Sequence, residues 1–117
     1  MQNNPAPESI HAVLIGGGHS HAILLKHLAM NPVVGARVTL ISDVTMTPYS
    51  GMLPGYLAGT YDYSETHIDL RRLANYASVE FIKARVCQLN PEKQTIQLES
   101  HPEISYDLMS INCGSIP

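Results

Sequence analysis

Residues 12–21 read Ala12-Val13-Leu14-Ile15-Gly16-Gly17-Gly18-His19-Ser20-His21, and the order of these residue types decides the fold. Four apolar residues in a row, with no polar alternation, suit a short strand buried on both faces. Three glycines follow at once, where the backbone must turn tightly. Beyond them the apolar period changes. Ala22, Leu25 and Ala29, with Leu24 and Leu28, repeat at i, i+3/i+4 and i+7, so a helix is predicted over residues 19–30. Asn31-Pro32 stops it, because proline cannot continue the hydrogen-bond ladder and disfavours helical backbone before it. After Val33-Val34-Gly35-Ala36, the run Arg37-Val38-Thr39-Leu40-Ile41 reads as a second buried strand. Strand, glycine turn, helix and strand fit within about 30 residues, as one right-handed βαβ unit.

The rhythm breaks over residues 43–60, where Pro48, Pro54, Gly51, Gly55 and Gly59 stand among Tyr49, Met52, Leu53 and Tyr56. This segment is too apolar for a solvated linker and too rich in glycine and proline for a helix or strand. Long ordered loops in compact domains are usually functional. A second helix is predicted over residues 67–77, with Leu70, Leu73, Ala74 and Ala77 on one face and Thr66 with Asp69 as a capping box. Val79-Glu80-Phe81-Ile82 makes a third strand. Residues 85–89 and 95–99 flank the turn cluster Asn90-Pro91-Glu92-Lys93. Ile96 and Leu98 alternate with Thr95, Gln97 and Glu99, which marks a half-exposed antiparallel strand. Residues 104–112 form a final strand. The expected fold is α/β and Rossmann-like, a mostly parallel sheet with a small antiparallel hairpin or meander. Because the chain stops at a glycine turn that should lead onward, a truncated product is expected.

The 117 residues suit one domain, and 44% hydrophobic with 15% charged residues is ordinary for a globular core. Seven Lys+Arg against ten Asp+Glu give a net charge of -3, with no clustered basic face. Nucleic-acid binding is therefore excluded as a reading. No stretch approaches the ~20 apolar residues of a membrane span. Residues 1–10 read as a disordered lead-in without the marks of a signal peptide. Cys87 and Cys113 fall on apolar-patterned segments and are expected to be reduced packing residues, which points to the cytoplasm. No C-x-x-C and no P-loop motif occurs.

Gly16-Gly17-Gly18-His19-Ser20-His21 is a near match to G-x-G-x-x-G, with His21 in place of the third glycine. The first glycine allows the turn and the second lets a pyrophosphate approach the backbone. The N–H groups at the helix start, around His19 and Ser20, face the phosphate with the positive end of the dipole. Between a strand and a helix, this motif points to nucleotide or dinucleotide binding, the other reading being a structural glycine turn. The ribose-binding acid belongs at the end of strand two, where the chain has Ser42 and then Asp43. One hydroxyl cannot make a bidentate carboxylate contact, and Asp43 serves equally as a turn starter. His19 and His21 point in different directions at a helix start, and no nearby Cys, Asp or Glu completes a shell, so no metal site is assigned. His11, His27, His67 and His101 are expected at the surface or in caps.

Four landmarks together carry a resemblance. They are the glycine turn, the loop Thr47-Pro48-Tyr49-Ser50-Gly51-Met52-Leu53-Pro54-Gly55, the segment Ala84-Arg85-Val86, and Tyr106-Asp107 leading to Cys113-Gly114-Ser115-Ile116-Pro117. Residues 11–117 resemble the N-terminal part of the FAD domain in the pyridine nucleotide-disulfide oxidoreductase superfamily. The ending is similar to that family's YDxLVIATGSxP signature, with Asn112-Cys113-Gly114-Ser115 for Ala-Thr-Gly-Ser. The loop resembles NADH-dehydrogenase-like flavoproteins found alone or fused to selenophosphate synthetase (selenide, water dikinase).

The resemblance implies FAD as cofactor and NAD(P)H as a co-substrate bound by a domain outside these residues. It places the pyrophosphate on Gly16, Gly17, Gly18, His19 and Ser20, the adenosine ribose at Ser42 and Asp43, and the adenine at Val86. Pro48, Tyr49, Ser50 and Gly51 fall near the flavin ring, and Cys113 and Gly114 beside the pyrophosphate or ribityl chain. The loop lacks the redox cysteine pair of the disulfide reductases, which implies electron transfer to a small non-thiol acceptor such as a quinone. No catalytic side chain is assigned, since the flavin carries the chemistry. The isolated segment is expected to be inactive, flavin-free and prone to self-association. A regulatory nucleotide-binding module and a class I methyltransferase are the rival readings, and neither would be yellow.

Overall fold

The computed structural model describes residues 10–48 and 67–113. Strand β1 (Ile10–Ile15), helix α1 (His19–Met30) and strand β2 (Ala36–Ser42) form the βαβ unit, with β1 and β2 parallel from Ile10↔Ala36 to Ile15↔Ile41. Strand β3 (Met46–Pro48) pairs antiparallel with β4 (His67–Asp69). Helix α2 (Leu70–Tyr76) and strand β5 (Glu80–Lys83) follow. Strands β6 (Val86–Asn90), β7 (Thr95–Leu98) and β8 (His101–Ser105) make an antiparallel meander, and β9 (Leu108–Ile111) returns to the main sheet. That sheet has the order β5-β2-β1-β9, parallel throughout. The fold is Rossmann-like.

The uninterrupted apolar runs of β1 and β2 are explained by two cores, one on each face of the sheet. Successive side chains of a strand point to opposite faces. Leu14 and Leu40 therefore pack with Leu25 of α1 and Leu70 and Ala74 of α2, while Val13, Ile15 and Ile41 pack with Ile96 and Leu98 of the meander. The parallel sheet is thus the middle of three layers. At the meander's turns the chain adopts positive φ at Gln94 and Ser100, and the Asn90 side chain accepts the Lys93 N–H at 3.1 Å. Among the described residues no helix is long and apolar enough to cross a membrane.

Several expectations are corrected. The segment from 43 onward, read as unfit for a strand, begins with β3, and residues 67–69, read as the first helical turn, are its partner β4. Helix α2 starts only at Leu70, whose N–H donates to the Thr45 carbonyl at 2.8 Å. Its cap is Asp69 itself, whose carboxylate accepts the Arg72 N–H at 3.1 Å, in place of a box led by Thr66. Asp69→Ala is expected to cost about 1 kcal/mol in a urea titration.

The single final strand is instead two, broken at Tyr106-Asp107 where the chain crosses from meander to sheet. There the Asp107 N–H donates to the His11 carbonyl at 2.8 Å and its carboxylate accepts the His11 N–H at 2.7 Å. His11, expected at the surface, is buried, with Nδ1 2.8 Å from the Ser105 carbonyl and Nε2 2.8 Å from Thr39 Oγ1. Cys87 and Cys113, expected in the core, are both exposed free thiols. Cys87 sits at a register shift between Val86 and Gln88, and Cys113 lies beyond the end of β9. An apolar pattern along a strand does not say which face its small residues take.

Candidate functional site

In the main sheet β1 has β2 on one side and β9, added last in sequence, on the other. The chain therefore leaves β1 in one direction and returns to it from the other. In open α/β sheets the crevice for a ligand forms at the carboxyl ends of the strands beside such a reversal. The glycine turn stands there.

Gly16 has φ +95, a region that L side chains rarely adopt, and its N–H donates to the Ile41 carbonyl of β2 at 2.7 Å. The Gly18 N–H donates to the Asn112 carbonyl at 2.8 Å, and the Gly18 carbonyl accepts the first helical bond, from Ala22, at 3.0 Å. The turn is thus stitched to the ends of both neighbouring strands. A Cβ on Gly16 would lie 2.5 Å from the Asn112 carbonyl oxygen and 2.6 Å from the Cys113 Cα. A Cβ on Gly18 would lie 2.7 Å from that same oxygen and overlap Asn112 Oδ1. One on Gly17 would collide with Leu70 Cδ1. Gly16 and Gly18 are demanded by backbone packed against them, before any ligand is considered, whereas at Gly17 only the tip of the Leu70 side chain stands in the way.

Helix α1 has Gly18 as its N-cap, with no side-chain cap and no acidic residue in its first turn. That is the electrostatic setting an anion needs, since the dipole is neither quenched nor opposed. Beside it lies the Asn112 side chain, whose Oδ1 is the one buried side-chain polar atom without a partner among the described residues. Turning that amide over would exchange the lone acceptor for two N–H donors. An uncapped helix start, a tight glycine cradle and an orphaned amide suit a phosphate-bearing ligand.

At the end of β2, the Ser42 hydroxyl donates to the Val44 carbonyl at 2.8 Å and accepts the Val44 N–H at 3.2 Å, so it is engaged within its own turn. Asp43 is exposed, with its carboxylate 3.9 Å from the Arg85 guanidinium. The Ala84 N–H donates to the Ser42 carbonyl at 3.0 Å, which sets residues 84–86 alongside the same edge. Gly16 to Gly18, Ser42 with Asp43, and Val86 with its neighbours therefore line one end of the sheet, as does Cys113. His19 and Ser20 form the exposed first turn of α1. Pro48 closes β3 opposite His67. Tyr49, Ser50, Gly51 and Gly114 lie outside the described residues.

Two site residues escaped sequence reading. His21 reads in the sequence as a missing glycine and half of an H-x-H without a metal shell, yet its ring is buried, with Nδ1 2.7 Å from the Gly16 carbonyl and Nε2 2.9 Å from Ser110 Oγ. Asn112 was seen only as a departure from Ala. Both stand where a motif has a small residue, and a polar side chain there was the available signal.

No family model matches the sequence. The chain is 29% identical over 107 residues to the sulfide-quinone reductase of Aquifex aeolicus, covering 89% of this chain and 24% of that protein. The crystal structure of the sulfide:quinone oxidoreductase from Aquifex aeolicus superposes with a TM-score of 0.75 at 25% identity, over 88% of this chain and 24% of that one. The water-forming NADH oxidase of Lactobacillus brevis superposes at 0.68 with 23% identity, over 93% and 26%. The NDH2 of Plasmodium falciparum gives 0.68 with 18% identity, over 88% and 22%. The chain spans about a quarter of the length of these relatives. The likeness relates it to the FAD/NAD-binding fold of pyridine nucleotide-disulfide oxidoreductase-like proteins.

Proposed function

We propose that residues 11–117 are the N-terminal part of the FAD-binding domain of an NAD(P)H-dependent flavoprotein oxidoreductase. The observation that carries this reading is the glycine turn, pinned between β2 and β9 at the uncapped start of α1. Similarity to a sulfide-quinone reductase and a water-forming NADH oxidase supports a flavin enzyme passing electrons to a small non-thiol acceptor. The nicotinamide-binding domain lies outside these residues on this reading. The loop resemblance extends the proposal to a protein of the kind found fused to selenophosphate synthetase, acting in the cytoplasm.

Bound FAD would supply two-electron acceptance from NAD(P)H and its onward transfer. The chain's own part is to bind and orient. The backbone at Gly16 to Gly18 and the first turn of α1 would take the pyrophosphate, with Asn112 offering its amide. Asp43 would take the ribose, with the Arg85 guanidinium 3.9 Å from its exposed carboxylate. Val86 would border the adenine through its backbone. Exposed Leu108 and Ile111 on β9 support the expectation that these residues self-associate when separated from the rest of the protein.

The test is the purified full-length protein, which should be yellow and lose its visible flavin absorbance on anaerobic titration with NADH or NADPH. A colourless protein, or a flavin that NAD(P)H does not bleach, rejects the proposal. Asp43→Ala is expected to weaken FAD binding roughly tenfold, as loss of a charge-assisted hydrogen bond. Ser42→Ala is expected to leave affinity within about threefold, since its hydroxyl is already engaged, and to act on stability through the turn. Fluorescence titration of the apoprotein reads both.

A further inference from the structure

We propose that His21 is a positioning residue for nucleotide binding, a strut that locks the Gly16–Gly17 peptide so that its N–H faces the ligand. This inference rests on the nucleotide-binding reading above.

The hydrogen-bond chemistry fixes the ring. The Gly16 carbonyl can only accept, so His21 Nδ1, 2.7 Å away, carries the proton. With Nδ1 as the proton-bearing nitrogen of a neutral imidazole, Nε2 is the acceptor for the Ser110 hydroxyl, 2.9 Å away. The relay runs from β9 through α1 to the turn, and the ring within it is 2% exposed.

The consequence follows from peptide geometry. In a trans peptide the C=O and the following N–H point in opposite directions. Holding the Gly16 oxygen against a buried ring turns the Gly17 N–H to the opposite side of that peptide, away from the ring. A peptide between two glycines turns over at little steric cost, because neither residue has a Cβ to restrict it. Turned over, it would present an oxygen where an anionic phosphate needs a hydrogen. Gly16 N–H is tied to Ile41, which fixes the preceding peptide but leaves this one to His21 alone among the described contacts. Where the motif has a third glycine, helix and strand merely approach; here a hydrogen-bonded side chain fills that room and sets the turn.

The test uses the full-length protein. Nitrogen-15 NMR of the labelled histidines, without nucleotide, should show His21 protonated at Nδ1 and bare at Nε2. His21→Gly restores the consensus motif, yet it is expected to weaken binding of FAD and of ADP by about tenfold or more. His21→Asn can still donate an amide N–H to Gly16 and is expected to stay within about threefold of the unaltered protein. Affinities are read at a temperature where circular dichroism shows every variant folded. Equal binding by His21→Gly, or an Nε2-protonated His21, overturns the proposal. If the unaltered protein binds neither FAD nor ADP, the nucleotide reading falls and takes the role of His21 with it. Loss of affinity in both variants equally would show a packing role only and also overturn it.

Discussion

Gly16→Ala is expected to abolish flavin retention and to destabilise the protein by about 2–4 kcal/mol, read as a lowered melting temperature. Two costs add. At φ +95 an alanine pays the left-handed penalty of about 1 kcal/mol. Its Cβ would also lie 2.5 Å from the Asn112 carbonyl oxygen and 2.6 Å from the Cys113 Cα, both backbone atoms that cannot swing aside. Overpacking of that kind costs about 1–3 kcal/mol, which brings the whole loss to about 2–4 kcal/mol. The relief available is to push the end of β9 away from β1, which breaks the Gly18 N–H bond to Asn112. Differential scanning calorimetry reads the stability, and the colour of the purified variant reads the flavin. A yellow variant melting within a few degrees of the unaltered protein would show that the turn has slack the packing does not suggest. Gly18→Val should also lose the flavin, since a side chain there meets Asn112 before it meets any ligand.

His11→Ala is expected to destabilise by about 2–4 kcal/mol while leaving the flavin affinity of the folded fraction unchanged. The ring lies at the opposite end of the strands from the glycine turn. It bridges the Ser105 carbonyl and the Thr39 hydroxyl, which in turn donates to Glu80 Oε1 at 3.3 Å, and Arg37 approaches Nδ1 to 3.0 Å. Truncation removes a buried ring and takes one partner from the Ser105 carbonyl and one from the Thr39 hydroxyl, which keeps Glu80. Denaturant titration gives the first quantity and flavin titration the second. A fall in affinity matching that of a turn mutation would mean that the two ends of the sheet are coupled.

The contrast between these two residues shows what could be read in advance. Gly16 was legible because a turn between a buried strand and a helix restricts its chemistry to glycine. The β1, α1 and β2 elements were legible for the same local reason: their periods are written within a dozen residues. His11 was not, because its partners Ser105 and Thr39 come from other strands and no local pattern marks a histidine as interior. The β3–β4 pair was missed because three-residue strands have no period to detect, and their pairing joins segments that are not adjacent in sequence. Ser42 illustrates a subtler limit. Its place at the end of the second strand was read as the ribose position, but its hydroxyl turns back to Val44, a choice the backbone makes after the strand ends. His21 was visible as a departure from a motif, while its bond to Gly16 needed β9 beside it to supply Ser110.

The place of β9 also bears on how the protein is made. On the ribosome β1 emerges early and acquires β2 soon after, but its other neighbour is reached only through the crossing at Asp107, 96 positions beyond His11. At ~5–20 residues per second that interval is roughly 5 to 20 s. Until then Gly18 lacks the Asn112 carbonyl, His21 lacks Ser110, and one side of β1 is an open edge able to pair with another nascent chain. The glycine turn is made before β9 and held in place only after it, so on the proposed function nucleotide uptake waits for β9 to leave the exit tunnel.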